Sequence, residues 1–255
     1  MLNSSGSWNR KIYTIIYIPF PLLWGLEKNG GEILSKEITL EVWGDFAAFV
    51  PPYAKVERLT SAVPTPSAAR GIFSAIYSKP AEFYWQITRI EVLNPIRYIS
   101  FKRNEVKSTV SIKGTTENCI LYADEDRTQR QTQALKNVRY RIAAIICPRP
   151  GFSGTTEQLY HQALRRIRTG KCFYQPCLGM REFACYFEES DGIRRPIEDS
   201  MDLGLMVYDV FDLHDYTVHK KAQPQLSLYH AVMDHGVIQV PPFDSPDVLK
   251  GGSSC

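Results

Sequence analysis

No cysteine in this sequence is placed for a zinc site. The 255-residue chain has six cysteines and five histidines. No two cysteines form a CxxC pair, and their spacing with the histidines matches no zinc-ligand pattern. We therefore expect neither a metal site nor a cofactor. Most of the cysteines lie in apolar or strand-like stretches, which is typical of reduced thiols in a cytoplasmic protein.

The sequence also has no hydrophobic run of bilayer-spanning length. The nearest candidate, residues 12–26, is too short, is broken by Pro19 and Pro21, and is not followed by a small-residue cleavage site. We therefore expect no membrane partner, and we predict that residues 1–36 are an N-terminal extension outside the fold. The glycine- and serine-rich end predicts a flexible tail over residues 244–255.

A large excess of one charge sign is absent as well, because the net charge is only +3 and the pI is about 8.4. Whole-chain charge says little about one face of a protein, however. Basic residues cluster in three segments, residues 97–107, 139–141 and 165–171. Each cluster could be an ordinary solvated face. The aromatic residues among and beside them, which are Tyr98, Phe101, Tyr140 and Phe173, favour a phosphate-binding surface.

Hydrophobic periodicity in the first half of the chain predicts a β-α-β order followed by further strands. Strands are predicted over residues 37–49, 82–93, 95–103 and 138–147, with a polar connector before the last of them. A helix is predicted to begin after Thr65, with Pro66 in its first position, and to end at or before Lys79 because Pro80 follows. This order fits a ferredoxin-like α+β unit.

Two stripes divide the surface of this predicted helix. Ala69, Ile72, Phe73 and Ile76 share an apolar face with the spacing of a helix packed on a core. Arg70, Ser74 and Tyr77 follow one another at i, i+4 and i+7 on a different stripe. The simplest interpretation makes Tyr77 a half-buried anchor and Arg70 a solvated charge.

The second half of the chain predicts one helix and a mostly β region. An amphipathic helix is predicted over residues 155–168, with Gly170 just past its end. Strands are predicted over residues 181–189, 203–213 and 236–243, and residues 229–235 are predicted to be helical with Gly236 as a C-cap.

Six motifs occur in a characteristic order, namely LEVWGDFAAF, TPSAARGIFSAIYSKP, ITRIEVLNPIRYISFKRNEV, DRTQRQTQALKNVRYRIAA, GKCFYQPCLGMREF and LGLMVYDVFD. Together they resemble the type I-C branch of the fifth CRISPR-associated core protein family, in the RAMP superfamily. The resemblance extends from Ile38 to Phe243. It implies a ferredoxin-like, RRM-related N-terminal domain over residues 37–149 and a small antiparallel β-sheet domain over residues 150–243.

The resemblance also implies a function in RNA-guided antiviral defence. Members of this family bind the repeat-derived 5′ handle and stem-loop of CRISPR RNA within a surveillance complex, Cascade, beside its large and backbone subunits. This branch also cuts the precursor RNA as a metal-independent endoribonuclease. Such chemistry needs no metal, because the RNA 2′-hydroxyl is the nucleophile and the protein positions it and transfers protons.

Residue by residue, the family's catalytic tyrosine matches Tyr77, so the stripe of Arg70, Ser74 and Tyr77 would face RNA. The family's catalytic lysine and histidine match Gln158 and Leu159, and neither can take over proton transfer. His161 is the candidate replacement for the missing catalytic histidine, and Lys79 and Lys171 are candidate replacements for the missing cation. Three outcomes stay open: a subunit that binds without cutting, a nuclease with a rearranged site, and slow residual cleavage from positioning alone.

Cations near these motifs are the candidate RNA-binding residues. They are Arg70, Lys79, Lys102, Arg103, Arg165, Arg166, Lys171 and Arg181. Gly170 and Gly179 would let the backbone approach a polyanion, or they are simply cap and turn residues. Two other functions compete, a stand-alone precursor-processing endoribonuclease and an RRM-like RNA binder unrelated to CRISPR. The second lacks the RNP-type aromatic motif.

Overall fold

The computed structural model of the protein describes residues 36–54, 57–108, 122, 124–215 and 226–251. These residues belong to one compact unit, Leu34–Cys255. The predicted N-terminal extension, apart from Lys36, lies outside the described residues, and so does the end of the predicted tail. Cys119 and Cys255 lie outside them too, whereas Cys147, Cys172, Cys177 and Cys185 are free thiols.

Ten strands and two helices make up the described part of the chain. In chain order they are β1 (Ile38–Ala47), β2 (Arg58–Leu59), α1 (Pro66–Ile76), β3 (Phe83–Val92), β4 (Tyr98–Val106), β5 (Arg127–Pro148), α2 (Thr156–Arg168), β6 (Tyr186–Glu189), β7 (Met201–Asp209), β8 (Ser227–Asp234), β9 (Val237–Gln239) and β10 (Val248–Lys250).

All ten strands belong to one sheet. Seven of them lie side by side in the order β10-β8-β9-β3-β5-β1-β6. Strands β2 and β4 also pair with β5, and β7 pairs with β8. Only the short β2 runs parallel to its neighbour; the other pairings are antiparallel. The predicted α+β class is therefore confirmed at the level of a large antiparallel sheet with two helices.

Both helices begin where their capping residues predict. The Thr65 hydroxyl accepts a hydrogen bond from the Ala68 N–H at 3.2 Å, and Pro66 is the first residue of α1. Thr155 caps α2 in a capping box with Gln158. Each cap satisfies an N–H group that the first helical turn leaves without a partner. Helix α1 ends before Lys79, as expected, and Gly170 follows α2 with a φ of 64°.

The core lies between the helices and one face of the sheet. Leu40 on β1, Ile90 on β3 and Ile142 on β5 are fully buried, and they belong to one hydrophobic cluster with Phe73 of α1 and Ile167 of α2. The apolar faces predicted for the two helices are therefore confirmed. The side chains that alternate with these residues along the strands face the opposite side of the sheet.

The prediction of a helix over residues 229–235 is wrong. Residues 227–234 form strand β8, whose side chains alternate between buried and exposed, the period of a strand with one buried face. His235 and Gly236 both have positive φ, 46° and 72°, and they connect β8 to β9. Two central residues with positive φ make the turn that best matches the twist of a hairpin.

The polar connector predicted before residue 138 is also wrong. Residues 127–135 continue β5 and pair with the whole length of β4, from Val106 with Arg127 to Tyr98 with Leu135. We call β4 and residues 127–135 the ribbon. Its polar residues lie on a two-stranded element with much solvent exposure, so they do not show the apolar alternation by which sequence analysis finds strands.

Within the described ranges, no helix is long and apolar enough to cross a membrane. A search of the same residues finds no group of three or more His, Cys, Asp or Glu side chains that could hold a metal ion.

Buried phenols and a buried thiol predict a loss of stability at alkaline pH. Burial raises the pKa of Tyr140, Tyr208 and Tyr229 above the usual range, and that of Cys185 to about 12. A group whose pKa is higher in the folded than in the unfolded protein stabilises the fold to its full extent when the pH is below the unfolded pKa. This stabilisation is lost as the pH rises above the unfolded pKa. The free energy of unfolding should therefore fall between about pH 9 and about pH 11. Urea unfolding across that range is the measurement, and an unchanged midpoint would contradict the burial of these groups.

Candidate nucleic-acid interface

Tyr77 lies at the end of α1, where the chain leaves the helix. Its N–H donates to the Phe73 carbonyl at 2.9 Å, but its own φ and ψ, −149° and 122°, are extended. The side chain is 1 % exposed and packs against Phe83, with 5.4 Å between ring centroids. The expected stripe with Arg70 and Ser74 is therefore wrong, because the helix ends one residue too early for Tyr77 to continue it.

The Tyr77 hydroxyl lies under α2. It donates a hydrogen bond to Gln162 Oε1 at 3.2 Å. Burial raises the pKa of Tyr77, while the nearby charge of Lys79 lowers it to a smaller extent. The phenol is therefore neutral at physiological pH. A neutral phenol can donate a hydrogen bond or a proton, but it does not act as a base.

The two positions that match the family's lysine and histidine have structural roles here. Gln158 belongs to the capping box of α2, and its side chain accepts from the Thr155 N–H at 3.5 Å. Leu159 is 3 % exposed and belongs to the core cluster. Leu159 and Gln162 are three residues apart, a spacing that brings two side chains to the same side of a helix. Leu159 therefore lies on the side of α2 from which Gln162 reaches the phenol.

His161 is on the solvent side of α2. Its Nε2 lies 2.7 Å from Glu157 Oε1, one helical turn earlier, and its side chain is 66 % exposed. The Lys36 ammonium, 2.8 Å from the same carboxylate oxygen, lowers the pKa of Glu157 through its hydrogen bond. Gln162, the next residue, reaches Tyr77 instead. The structure thus does not bring His161 and Tyr77 together.

Four of the eight predicted RNA-binding cations are engaged inside the protein. Arg70 forms an ion pair with Asp209, Lys79 with Glu82, and Arg103 with Glu182; Arg166 donates to the Ile76 carbonyl at 2.7 Å. The Arg103 guanidinium also lies over the rings of Phe101 and Phe183. The contacts of Arg70, Arg103 and Arg166 anchor α1, the ribbon and α2, so they favour a structural role for these three cations. The Lys79–Glu82 pair is partly exposed and local, and such pairs contribute little to stability.

The other four predicted cations are exposed, and they form no ion pair with the described residues. They are Lys102, Arg165, Lys171 and Arg181. Arg165 and Lys171 lie at the end of α2, Arg181 lies in the segment that follows, and Lys102 lies on the ribbon. Over residues 165–181 the sequence has five cations and no carboxylate. This segment is therefore the most positive continuous stretch beside Tyr77.

The third basic cluster of the sequence, residues 139–141, is neutralised on the opposite face of the sheet. Arg139 forms ion pairs with Glu41 and Glu188, and Arg141 donates to Glu91 at 2.6 Å. The Arg139 guanidinium lies 4.5 Å from the centre of the Trp43 ring. A network with this many carboxylates is poorly suited to phosphate, so the helix side of the sheet is the better candidate interface.

Gly179 has a structural reason to be glycine. Its φ is 85°, and a Cβ at this position would lie 2.0 Å from the Ala48 carbonyl oxygen. The close approach is to the end of β1, which favours the turn interpretation over contact with RNA. A Cβ at Gly170 would meet nothing within 4 Å, so its positive φ alone accounts for the glycine.

Sequence reasoning missed Gln162 and Tyr174 in this region, and it named Phe173 only among the aromatic residues that favour a phosphate-binding surface. Gln162 is the hydrogen-bond partner of Tyr77, and Phe173 and Tyr174 are exposed aromatics beside it. The Phe173 N–H donates to the Ala75 carbonyl at 2.8 Å, which ties this segment to the end of α1. The spacing of Gln162 and Arg166, four residues apart on α2, was the available signal, since such residues share a helix face.

Comparison with known proteins identifies the family. A family model described as CRISPR-associated protein, Cas5, in its Cas5d form, matches residues 37–241. A protein of Mannheimia succiniciproducens named CRISPR pre-crRNA endoribonuclease Cas5d is 38 % identical over 236 residues, covering 85 % of this chain and 100 % of the relative. A Thermus thermophilus protein of the same name is 36 % identical over 178 residues, covering 70 % of this chain and 75 % of the relative.

Solved structures share the fold. A functionally uncharacterized protein of Streptococcus mutans and a crystal structure of a CRISPR-associated protein each align with a TM-score of 0.59 and 20 % identity, covering 84 % of this chain and 97 % of theirs. The fold is thus one found among CRISPR-associated proteins. With the family model and the two relatives, the chain belongs to the Cas5d family of CRISPR-associated proteins.

Proposed function

We propose that this chain is the Cas5 subunit of a type I-C Cascade complex and that it binds the 5′ repeat handle of CRISPR RNA. The observation that carries the proposal is segment 165–181 beside Tyr77, which contains no carboxylate and exposes Arg165, Lys171 and Arg181, in a chain of the Cas5d family. Positive charge without competing carboxylates attracts phosphates, and exposed aromatic rings among the charges suit unpaired bases.

Its partners in this proposal are the repeat handle and stem-loop and the large and backbone subunits of the complex. The proposal includes a cytoplasmic location, where CRISPR RNA is made and free thiols stay reduced. It needs no metal, since the RNA supplies the nucleophile. The four exposed cations are the proposed handle contacts.

Binding without efficient cutting is the activity that the geometry favours. Leu159 offers no proton-transfer group, His161 points away from Tyr77, and the Tyr77 phenol is buried under Gln162. Metal-independent cleavage is the second candidate, because both relatives carry the name pre-crRNA endoribonuclease. In that case Tyr77 would turn outward as the hydrogen-bond donor and His161 would serve as the base.

We also infer that β1, α1, β3, β5, α2 and β6 form the ferredoxin-like unit. The strand order β3-β5-β1-β6 and the chain order β-α-β-β-α-β support this assignment. The division into domains at residues 149 and 150 stays a prediction. The pairing of β6 with β1 supports moving that boundary to the end of β6.

Charge removal tests the proposed surface. Lys171→Ala and Arg181→Ala should each weaken binding of labelled repeat-handle RNA, because each removes one phosphate-neutralising charge. Each should also lower the slope of log affinity against log salt by about 0.7 to 0.9. Fluorescence anisotropy over a series of salt concentrations measures both quantities.

Arg195→Ala is the matched control. Arg195 is also an exposed arginine, but its neighbour Arg194 accepts a hydrogen bond from Arg141 on the opposite face of the sheet, so Arg195 lies away from segment 165–181. It should leave the slope unchanged. An unchanged slope for both Lys171→Ala and Arg181→Ala would show that segment 165–181 does not bind the RNA backbone.

A further inference from the structure

Phe173 is an exposed aromatic side chain with a fixed position. Phe173 is 56 % exposed. Its backbone is nevertheless held in place, because its N–H donates a hydrogen bond to the Ala75 carbonyl at 2.8 Å. Tyr174, the next residue, is 61 % exposed. A large apolar ring that is held in place yet left in solvent calls for a partner that covers it.

Arg166 supports one face of the Phe173 ring. The centre of its guanidinium lies 4.2 Å from the ring centroid, and its Nε donates to the Ile76 carbonyl at 2.7 Å. The arginine is therefore oriented by α1 before any ligand arrives. With one ring face on the cation and the residue more than half exposed, the ring offers its remaining surface to solvent.

We propose that Phe173, supported by Arg166, is a stacking platform for an unpaired nucleobase of the RNA. This inference rests on the proposed function, and it adds a residue that contacts the single-stranded part of the handle. Stacking on an aromatic ring suits any base, since every base has a π face. The exposed cations Arg165 and Lys171, which precede Phe173 in the same segment, would take the flanking phosphates.

The position of the platform relates it to Tyr77. Phe173 is tied to Ala75 and Arg166 to Ile76, the two residues just before Tyr77. A base stacked on Phe173 would therefore place the neighbouring phosphate at the end of α1. A paired stem could not stack there, because its bases are already covered by their neighbours in the duplex.

A protein partner would cover the ring equally well, but the charge around the ring favours RNA. No carboxylate occurs in residues 165–181, and the exposed cations Arg165, Lys171 and Arg181 would repel a basic protein surface. Protein interfaces also tend to be depleted of charge at their centre.

The test is the affinity of the purified full chain for a single-stranded handle RNA. Phe173→Leu should weaken binding by about fivefold or more, since stacking is lost. The salt slope should stay unchanged, since no charge is removed. Phe173→Tyr keeps an aromatic ring and should bind like the unmodified chain. A handle RNA with 2-aminopurine at successive positions should show quenching at one position, which Phe173→Leu abolishes.

Lys171→Ala separates this inference from the proposed function. If the unmodified chain binds the handle and Lys171→Ala lowers the salt slope, but Phe173→Leu binds normally and quenches 2-aminopurine, only the platform is refuted. If Phe173→Leu instead loses another Cascade subunit while keeping RNA affinity, the ring is a protein interface and the inference is wrong. If the unmodified chain binds no handle RNA, the proposed function and the platform both fail.

Discussion

Replacing Asp209 with alanine is expected to lower the free energy of unfolding by about 3 kcal/mol, since losing one partner of a buried ion pair leaves the other uncompensated. The Asp209 side chain is 2 % exposed and accepts from Arg70 at 2.6 and 2.9 Å. It also accepts from the N–H groups of Val210 and Phe211 at 2.7 and 3.1 Å. The Arg70 side chain is 22 % exposed, and solvent screening keeps the effect near the low end of the usual range.

A double-mutant cycle checks this expectation by urea unfolding. Arg70→Ala alone should also destabilise, and the double variant should lose less than the sum of the two single losses because the pair is already broken. Arg165→Ala is the matched control, since Arg165 is exposed, forms no ion pair with the described residues and should change stability by less than about 0.5 kcal/mol. Additive losses in the cycle would show that Arg70 and Asp209 do not stabilise each other.

The same pair bears on the predicted role of Arg70 in RNA binding. Arg70 joins α1 to the end of β7, so its guanidinium is already committed to a carboxylate. Arg70→Ala should therefore affect stability more than the handle affinity of the folded protein. The sequence could identify Arg70 as a cation near the tyrosine motif, but its partner lies 139 residues away and no local pattern marks it.

Predictions from the sequence were correct where the responsible contacts are local. The caps at Thr65 and Thr155 fixed where the helices begin, because a cap is formed by residues three positions apart. The predictions failed where pairing is not local. The polar residues of the ribbon form a strand because β4 pairs with them. The residues predicted to be helical form β8, which pairs with β7 from Met201 to Asp209.

Within the candidate interface, the sequence identified the cations but not which of them remain available. Arg103 is held by Glu182, 79 residues away, whereas Lys102 beside it is exposed. The difference comes from strand alternation, which turns Arg103 toward Phe183 and Lys102 away. The burial of Tyr77 likewise depends on where α1 ends. The helix ends at Ile76, one residue before Tyr77, and the extended backbone of Tyr77 directs the phenol into the core.

Introducing at positions 158 and 159 the lysine and histidine that the family resemblance implies is expected to raise RNA cleavage strongly. In the variant Gln158→Lys/Leu159→His, an imidazole would lie one turn from Gln162, on the side of α2 that reaches the Tyr77 hydroxyl. A positioned acid–base group contributes about 100-fold or more to a rate. We therefore expect the cleavage rate of repeat RNA to rise by about 100-fold or more, without added metal. Single-turnover cleavage in EDTA measures it.

The variant Gln158→Lys/Leu159→Asn is the control for this gain, because asparagine is polar but transfers no proton at neutral pH. Burying the imidazole where Leu159 is 3 % exposed should cost about 1 to 3 kcal/mol of stability, so unfolding is measured alongside cleavage. Adding Tyr77→Phe should abolish the gain if the phenol takes part in the reaction. If the histidine variant is folded and binds the handle with unchanged affinity but cuts no faster than the asparagine control, Leu159 is not what limits cleavage. The burial of Tyr77 under Gln162 would then be the barrier, since the phenol must reach the RNA before any base can assist it.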